Sequence, residues 1–336
     1  MYNINWEMRR LRKNILLFCD PGIDDSLAIM YALLNPAFNV VGLVTGYGNI
    51  DQEQATQNAA YLLTLAGRED VVLIGGAKGP LSGEFVPYYP EIHGEEGLGP
   101  IQPPETIIGE LLNYDSVFKL IEQYDGELII VDVGRLTSLA VGFILGGDDV
   151  MNNVQQFYLM GGAFFVPGNV TAAAEANFYG DPIAADLVLE KAQNVALYPL
   201  NVTNKAIITP EVIDKIEGTE NNPFQPLMKA IFDYYYEAYK KLVPSIPGSP
   251  LHDVLTLYAV ANPDKFGYTK RRVRVETAEG PLKGASIADF RPLPEEEEEE
   301  KEDYIALEFD YDDFVEDFIR VMTRKLPGSS IENFDR

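Results

Sequence analysis

The sequence predicts an α/β fold, a mostly parallel open central sheet flanked by helices, and three observations carry that expectation. Short, wholly apolar runs recur along the chain, glycine-bearing turns follow them, and stretches of helical spacing separate them. Apolar runs without alternation read as strands buried on both faces. Strands that alternate with helices read as parallel units whose crossovers cover the sheet.

The first run is Ile15 to Cys19, ended by Asp20-Pro21-Gly22. The stretch Ser26 to Leu34 follows with Leu27, Met30, Ala32 and Leu34 at helical spacing, and Asp24 and Asp25 stand where they would cap it. Val40 to Val44 is the next strand, and beyond the Gly48-Asn49 turn Gln52 to Ala66 reads as a helix. Val71 to Ile74, Leu128 to Val133 and Phe157 to Met160 repeat the strand pattern. Pro223 to Leu242 is helical and rich in aromatic residues. Arg272 to Thr277 and Tyr304 to Phe309 then read as strands, and Asp312 to Lys325 as a closing helix.

A chain of 336 residues that is 46% hydrophobic and 23% charged has the composition of a folded protein. We read it as one domain over 14–336 behind a flexible basic leader, 1–13. Its 26 Lys and Arg against 52 Asp and Glu give a net charge of −26, which repels phosphate backbones and anionic lipid and so argues against nucleic-acid polymers and membranes as partners. Residues 294–303, PEEEEEEKED, hold eight acids and one lysine. Six consecutive glutamates repel one another and build no core, so this run reads as a solvated loop.

The single cysteine, Cys19, excludes an intramolecular disulfide framework and a Cys-based zinc cluster, and points to an intracellular, cytoplasmic protein. Inside the first strand it reads as a small buried apolar residue facing away from any crevice. No apolar run reaches the roughly 18 residues of a membrane span. The basic start, MYNINWEMRRLRKN, leads into too short an apolar segment for a secretory signal.

Asp20, Asp24 and Asp25 place three carboxylates within six residues, at the carboxyl end of the first strand. That is where an open α/β sheet binds ligands. Pro21 biases Asp20 toward an extended backbone and Gly22 permits a tight turn, so the acids can converge. Two unit charges about 4 Å apart repel by roughly 4 kcal/mol at an effective dielectric near 20, which a bound divalent cation would relieve. All-oxygen ligands, with no thiolate and no His pair at metal spacing, point to Ca²⁺ or Mg²⁺. Other polar residues recur at the same topological place: Asn49, Thr137, then Asn169, Glu175 and Asn177 in one loop, and His252-Asp253 before a late helix.

These pieces together resemble the inosine-uridine-type nucleoside hydrolase family over roughly Asn14 to Leu326. The motifs are DPGIDDSLAI at 20–29, VTGYGN ending at Asn49, IHGEEGLG at 92–99, GRLTSLA at 134–140, MGGAFFVPGNVTAAAEANFYGDPIAA at 160–185 and PLHDVLTLYAVANP at 250–263. The resemblance implies a Rossmann-like nucleoside hydrolase fold and a Ca²⁺-dependent enzyme that cleaves the N-glycosidic bond of ribonucleosides to ribose and free base, assembled as a homodimer or homotetramer. By motif position, Asp20, Asp25, Asp253 and the main-chain carbonyl of Thr137 would hold calcium. Asp24 and Asn177 would bind the 2′-hydroxyl side of the ribose, with Asp253 also on the sugar side. Asn169 and Glu175 would bind its 5′-hydroxyl, Asn49 a neighbouring hydroxyl, and Met160 would pack beneath the sugar. Asp20 would act as general base toward a calcium-polarised water, and His252 would assist the leaving base in a reaction with an oxocarbenium-like transition state.

The sequence departs from many relatives at Ala176, where an aromatic residue is usual, and at Arg135, where proline is usual. Tyr234, Tyr235, Tyr236 and Tyr239 are candidates for base stacking or a proton relay, and spacing leaves open which of them points inward. His93 reads as part of a glycine-flanked lid over the site. Two other readings stand beside the hydrolase: a calcium- and ribonucleoside-binding protein without catalysis, and a metal-dependent phosphatase. The second lacks the matching Asp spacing and a basic cradle. A 5′-phosphate would meet Glu175, so neutral nucleosides are favoured over nucleotides.

Overall fold

The computed structural model describes residues 12–84, 87–104, 111–219, 222–291 and 301–325. Residues 1–11 of the expected leader and 294–300 of the expected acidic loop lie outside the described residues. Of the rest, Lys13 opens the first strand, and Asp303 is not solvated but buried at the start of a strand, where Lys301 pairs with it at 2.7 Å.

The sheet grows from β1 (Lys13–Cys19), which pairs in parallel with β2 (Phe38–Thr45) on one side and with β5 (Leu128–Asp132) on the other. Outward from β2 lie β3 (Val72–Gly75) and β4 (Leu111–Leu112), and outward from β5 lie β6 (Gln156–Met160) and β7 (Val195–Tyr198), all parallel. The short pair β8 (Ile207–Ile208) and β9 (Ser249–Pro250) stands apart from the sheet. β10 (Phe266–Arg271) closes the far edge, antiparallel to β13 (Asp303–Phe309), which runs parallel to β7. A separate ribbon pairs β11 (Val273–Val275) with β12 (Ser286–Ala288). The nine-stranded order β10-β13-β7-β6-β5-β1-β2-β3-β4 reverses direction of growth at β1 and β5, and a ligand crevice opens at such a switch point.

β1 shows why its apolar run does not alternate. Ile15, Leu17 and Cys19 enter one core with the helices Ile23–Leu34, Gln225–Leu242, His252–Ala261 and Tyr311–Met322. Leu16 and Phe18 enter the other, under the helices Asp115–Tyr124, Thr137–Met151 and Pro182–Lys191. Both faces are covered from Ile15 to Cys19, so every position of that run is apolar. Among the described residues no helix is long and apolar enough to cross a membrane.

One expectation about the first helix needs correction. Asp24 and Asp25 do not cap the first helix: it begins at Ile23, its N-cap residue is Gly22 without a side-chain bond, and both acids lie inside the first turn. The Ile23 amide, the first of the helix, donates to His93 Nδ1 at 3.0 Å. Arg272 to Thr277 holds a strand as expected, Val273–Val275, which lies in the separate ribbon. The partner of Asp303–Phe309 is Phe266–Arg271, an edge strand in which only Phe266 is buried.

Candidate active site

The carboxyl ends of β1, β2, β5 and β6 deliver the site. Asp20 follows β1 and is held between two glycine turns. A Cβ at Gly48 would fall 1.4 Å from Asp20 Oδ2, and one at Gly134 would fall 2.9 Å from Oδ1, so neither position tolerates a side chain with the acid in place. Asp20 Oδ2 accepts from the Asn49 amide at 2.8 Å, while Oδ1 is buried without a partner. The helix start brings Asp25 back onto the same turn: its Oδ1 accepts from the Asp20 amide at 2.9 Å and its Oδ2 from Asn49 Nδ2 at 2.9 Å. Asp24 reaches the late helix instead, where its Oδ2 accepts from the His252 amide at 2.8 Å and the Asp253 amide at 3.3 Å. Its Oδ1 is also buried and unpartnered.

Asp20, Asp24, Asp25 and Asp253 are all buried, and burial followed by mutual repulsion pushes the carboxyls of Asp20, Asp24 and Asp253 well above the usual range. Asp25 is raised by burial, against the hydrogen bonds it accepts. Such a cluster is short of positive charge. Its donor chemistry fits a hard divalent cation, and Asp20 Oδ1 and Asp24 Oδ1 have no hydrogen-bond partner among the described residues. Among the described residues no three His, Cys, Asp or Glu side chains are grouped to hold a metal ion by themselves, and several of the carboxylate oxygens are bonded to protein amides. Thr137 opens its helix, with its hydroxyl given to Asp181 at 2.8 Å.

The ribose-loop residues divide. Asn177 Nδ2 donates to the Val133 carbonyl at 2.9 Å and to Met160 Sδ at 3.3 Å, which joins the ends of β5 and β6. Glu175 is buried and caps the short helix after it: Oε1 accepts from the Asn177 amide at 2.8 Å, and Oε2 from the Gly162 amide at 3.0 Å and the Phe178 amide at 3.2 Å. Asn169 is exposed and its Oδ1 accepts from the Ala176 amide at 2.9 Å, so it shapes the loop.

Burial raises the Glu175 carboxyl to about 7 against the pull of those three amides. An acid whose folded value exceeds its unfolded one, near 4.3, stabilises the fold most below the unfolded value, and loses that contribution as pH rises through 7. Glu175→Gln is therefore expected to remove pH dependence worth about 3 kcal/mol between pH 4.5 and 8, read as the wild-type minus variant difference in denaturant unfolding. A difference constant across that range would show that Glu175 does not titrate in the fold.

His252 begins the helix His252–Ala261, its Nδ1 2.8 Å from Thr203 Oγ1 and its Nε2 3.0 Å from the Tyr239 hydroxyl. Burial lowers its pKa to about 4, so the ring is neutral at pH 7. Tyr239 lies on the preceding long helix, and Tyr235 donates to it at 3.5 Å from one turn back. Tyr234 reaches toward the Pro90 carbonyl and Tyr236 toward the Ile246 carbonyl, so Tyr235 and Tyr239 are the inward pair. His93 is buried, its ring 5.7 Å from Tyr235, and burial with the charge of His252 lowers it to about 3.

The sequence reading missed Asp181, Tyr47 and Thr203. Asp181 accepts from Thr137 Oγ1 and from the Leu81 and Ala184 amides, and Tyr47 meets Thr137 Oγ1 at 3.1 Å. Asp181-Pro182 was the available signal for the first, an acid before a proline at a helix start. Cys19 is buried in β1, its thiol pushed up by burial and by nearby acids.

The sequence model of the inosine-uridine preferring nucleoside hydrolase family matches residues 15–316. Uridine nucleosidase 1 of Arabidopsis thaliana is 33% identical over 287 residues, 85% of this chain and 84% of that protein. The probable uridine nucleosidase 2 of the same plant is 38% identical over 273 residues, 80% of this chain and 83% of the relative. Among solved structures, a plant nucleoside hydrolase superposes with a TM-score of 0.85 at 30% identity, covering 93% of this chain and 99% of its own. A purine-preferring ribonucleoside hydrolase from Gardnerella vaginalis superposes with a TM-score of 0.85 at 27% identity, covering 93% and 98%.

Proposed function

The chain belongs to the inosine-uridine preferring nucleoside hydrolase family, as a hydrolase acting on the N-glycosidic bond of ribonucleosides, and from that premise we propose a calcium-dependent mechanism centred on Asp20 and His252. The observation that carries it is the buried convergence of Asp20, Asp24, Asp25 and Asp253 at the switch point of the sheet, with two carboxylate oxygens unpartnered.

Asp20, Asp25, Asp253 and the Thr137 carbonyl would hold the ion. Calcium bound there supplies the positive charge that keeps these acids ionised at neutral pH and acidifies a water. Asp20 Oδ1, buried and free, accepts the proton of the attacking water. Asp24 Oδ1 and Asn177 take the 2′ side of the ribose, Asn49 a neighbouring hydroxyl, Asn169 and Glu175 the 5′ side, and Met160 lies beneath the ring. Departure of the base leaves positive charge on the sugar, and a buried, preorganised set of carboxylates stabilises that charge more than water would. His252 is neutral, so it does not act as a standing imidazolium. The departing base takes its proton from the hydrogen-bonded pair of His252 and the Tyr239 hydroxyl, and the proton that the attacking water gives up to Asp20 balances it once solvent resets both groups.

Uridine is the first substrate to test, because the Arabidopsis relatives at 33 and 38% identity carry uridine nucleosidase names. Ribose release from a panel of uridine, cytidine, inosine and adenosine is expected for uridine, at least about tenfold faster with calcium than after chelation, a modest share of what a metal-activated nucleophile supplies. Equal rates with and without chelator would reject calcium dependence. Silence across the whole panel would reject the substrate class.

A further inference from the structure

Arg135 sits in the turn after β5, two residues before Thr137, and its side chain is only 5% exposed. A guanidinium stays ionised at any working pH, and burying it is costly unless it is paired. Its partners here are not carboxylates. Nη2 donates to the Pro87 carbonyl at 3.2 Å, the guanidinium carbon lies 5.0 Å from the Tyr47 ring centroid, and Nη1 is buried with no hydrogen-bond partner among the described residues. Gly180 makes room for the shaft: a Cβ there would fall 2.4 Å from Arg135 Nε and 2.5 Å from Cδ.

Pro87 opens a segment, residues 87–93, that is tied to the turns carrying the acids. The Tyr89 amide donates to the Asn49 carbonyl at 3.2 Å, and His93 Nδ1 accepts from the Ile23 amide at 3.0 Å. Asn58 Nδ2 donates to the Pro21 carbonyl at 2.9 Å and to the Glu96 carbonyl at 2.7 Å. Each of these ties comes from the β1 and β2 side of the crevice. Arg135 brings one from the β5 side, and its charge is felt by Tyr89, Asp20 and Glu175.

We propose that Arg135 is a positioning residue that fastens residues 87–93 over the acid crevice, holding Asn49 and His93 in register with the substrate. The kinetic consequence rests on the hydrolase reading; the fastening itself does not. Hydrogen exchange of the ligand-free, full-length protein tests the fastening, read at the Ile92, His93 and Gly94 amides, which all donate to carbonyls of Tyr89 or Pro90. In Arg135→Ala these amides are expected to exchange about tenfold faster while β5 and β6 amides keep their rates, the signature of local opening. Gly180→Ala is expected to act in the same direction by displacing the arginine, and Arg135→Lys to fall between, since lysine keeps the charge without the planar fork. With uridine, Arg135→Ala is expected to raise KM about tenfold and to leave kcat within about threefold, a loss of uniform binding. Unchanged exchange at 92–94 in both Arg135→Ala and Gly180→Ala overturns the proposal. So does acceleration spread equally over β5 and β6, or a fall in kcat at constant KM. Wild-type protein that releases no ribose would reject the function reading and leave the exchange result to decide the fastening.

Discussion

Asp20→Asn is expected to lower kcat for ribonucleoside hydrolysis about 10³-fold, roughly 4 kcal/mol of transition-state stabilisation, without unfolding the protein. The substitution keeps the oxygen that accepts the Asn49 amide and replaces the unpartnered Oδ1 with an amide, which cannot take a proton from water. It also removes one charge from a buried cluster whose members raise one another's pKa, so the thermal midpoint is expected to hold or rise. Both readouts matter. A midpoint that drops by many degrees would place Asp20 among the structural acids, and turnover within tenfold of wild type would remove it as the base.

His252→Ala is expected to lower kcat on uridine by about 10² to 10³, within the range of general acid assistance. The loss should depend on the leaving group. A ribosyl ether of p-nitrophenol, whose anion departs unprotonated, should lose less than about tenfold in the same variant. Equal losses on both substrates would mean that His252 positions the sugar and does not serve the base. Because burial holds this ring's pKa near 4, the wild-type acid limb is expected well below the ordinary histidine value of about 6.5. Tyr239→Phe, which leaves Nε2 without its partner at 3.0 Å, should show a smaller loss with the same leaving-group pattern.

The strands were most legible where both faces are covered. Ile15 to Cys19 could be nothing but apolar, because Ile15 and Leu17 meet one core and Leu16 and Phe18 the other. Val195–Tyr198 was not separable from its surroundings: four residues carry no period, and an apolar stretch of that length belongs equally to a helix. At the carboxyl end, the edge partner of Asp303–Phe309 was missed because only Phe266 of Phe266–Arg271 is buried, which leaves little apolar signal.

Within the site, residue types and chain positions were readable and orientations were not. Asp20, Asp24, Asp25, Thr137, Asn177, His252 and Asp253 were named from motifs and their place after strands, since that place follows from strand order alone. Which tyrosine meets His252 depends on the rotation of the helix Gln225–Leu242, and four tyrosines within six positions cover most of its circumference. The Ile23 amide at the helix start meets His93 from seventy residues away, Asp24 meets the His252 and Asp253 amides, and Asp25 meets Asn49, so the setting of the acids involves distant segments. Arg135 is the sharpest case. Its identity was visible as a departure from proline, but the burial of its guanidinium and its hold on Pro87 exist only once the turn after β5, the segment before His93 and Gly180 pack together. The sequence by itself determined the fold class and the family, because periodicity and motif spacing are local properties. Only the tertiary structure decided which oxygens are free, which ring meets His252 and what holds the cover, because these are set by contacts between distant segments, where a rotation of one helical position moves a side chain by about 100°.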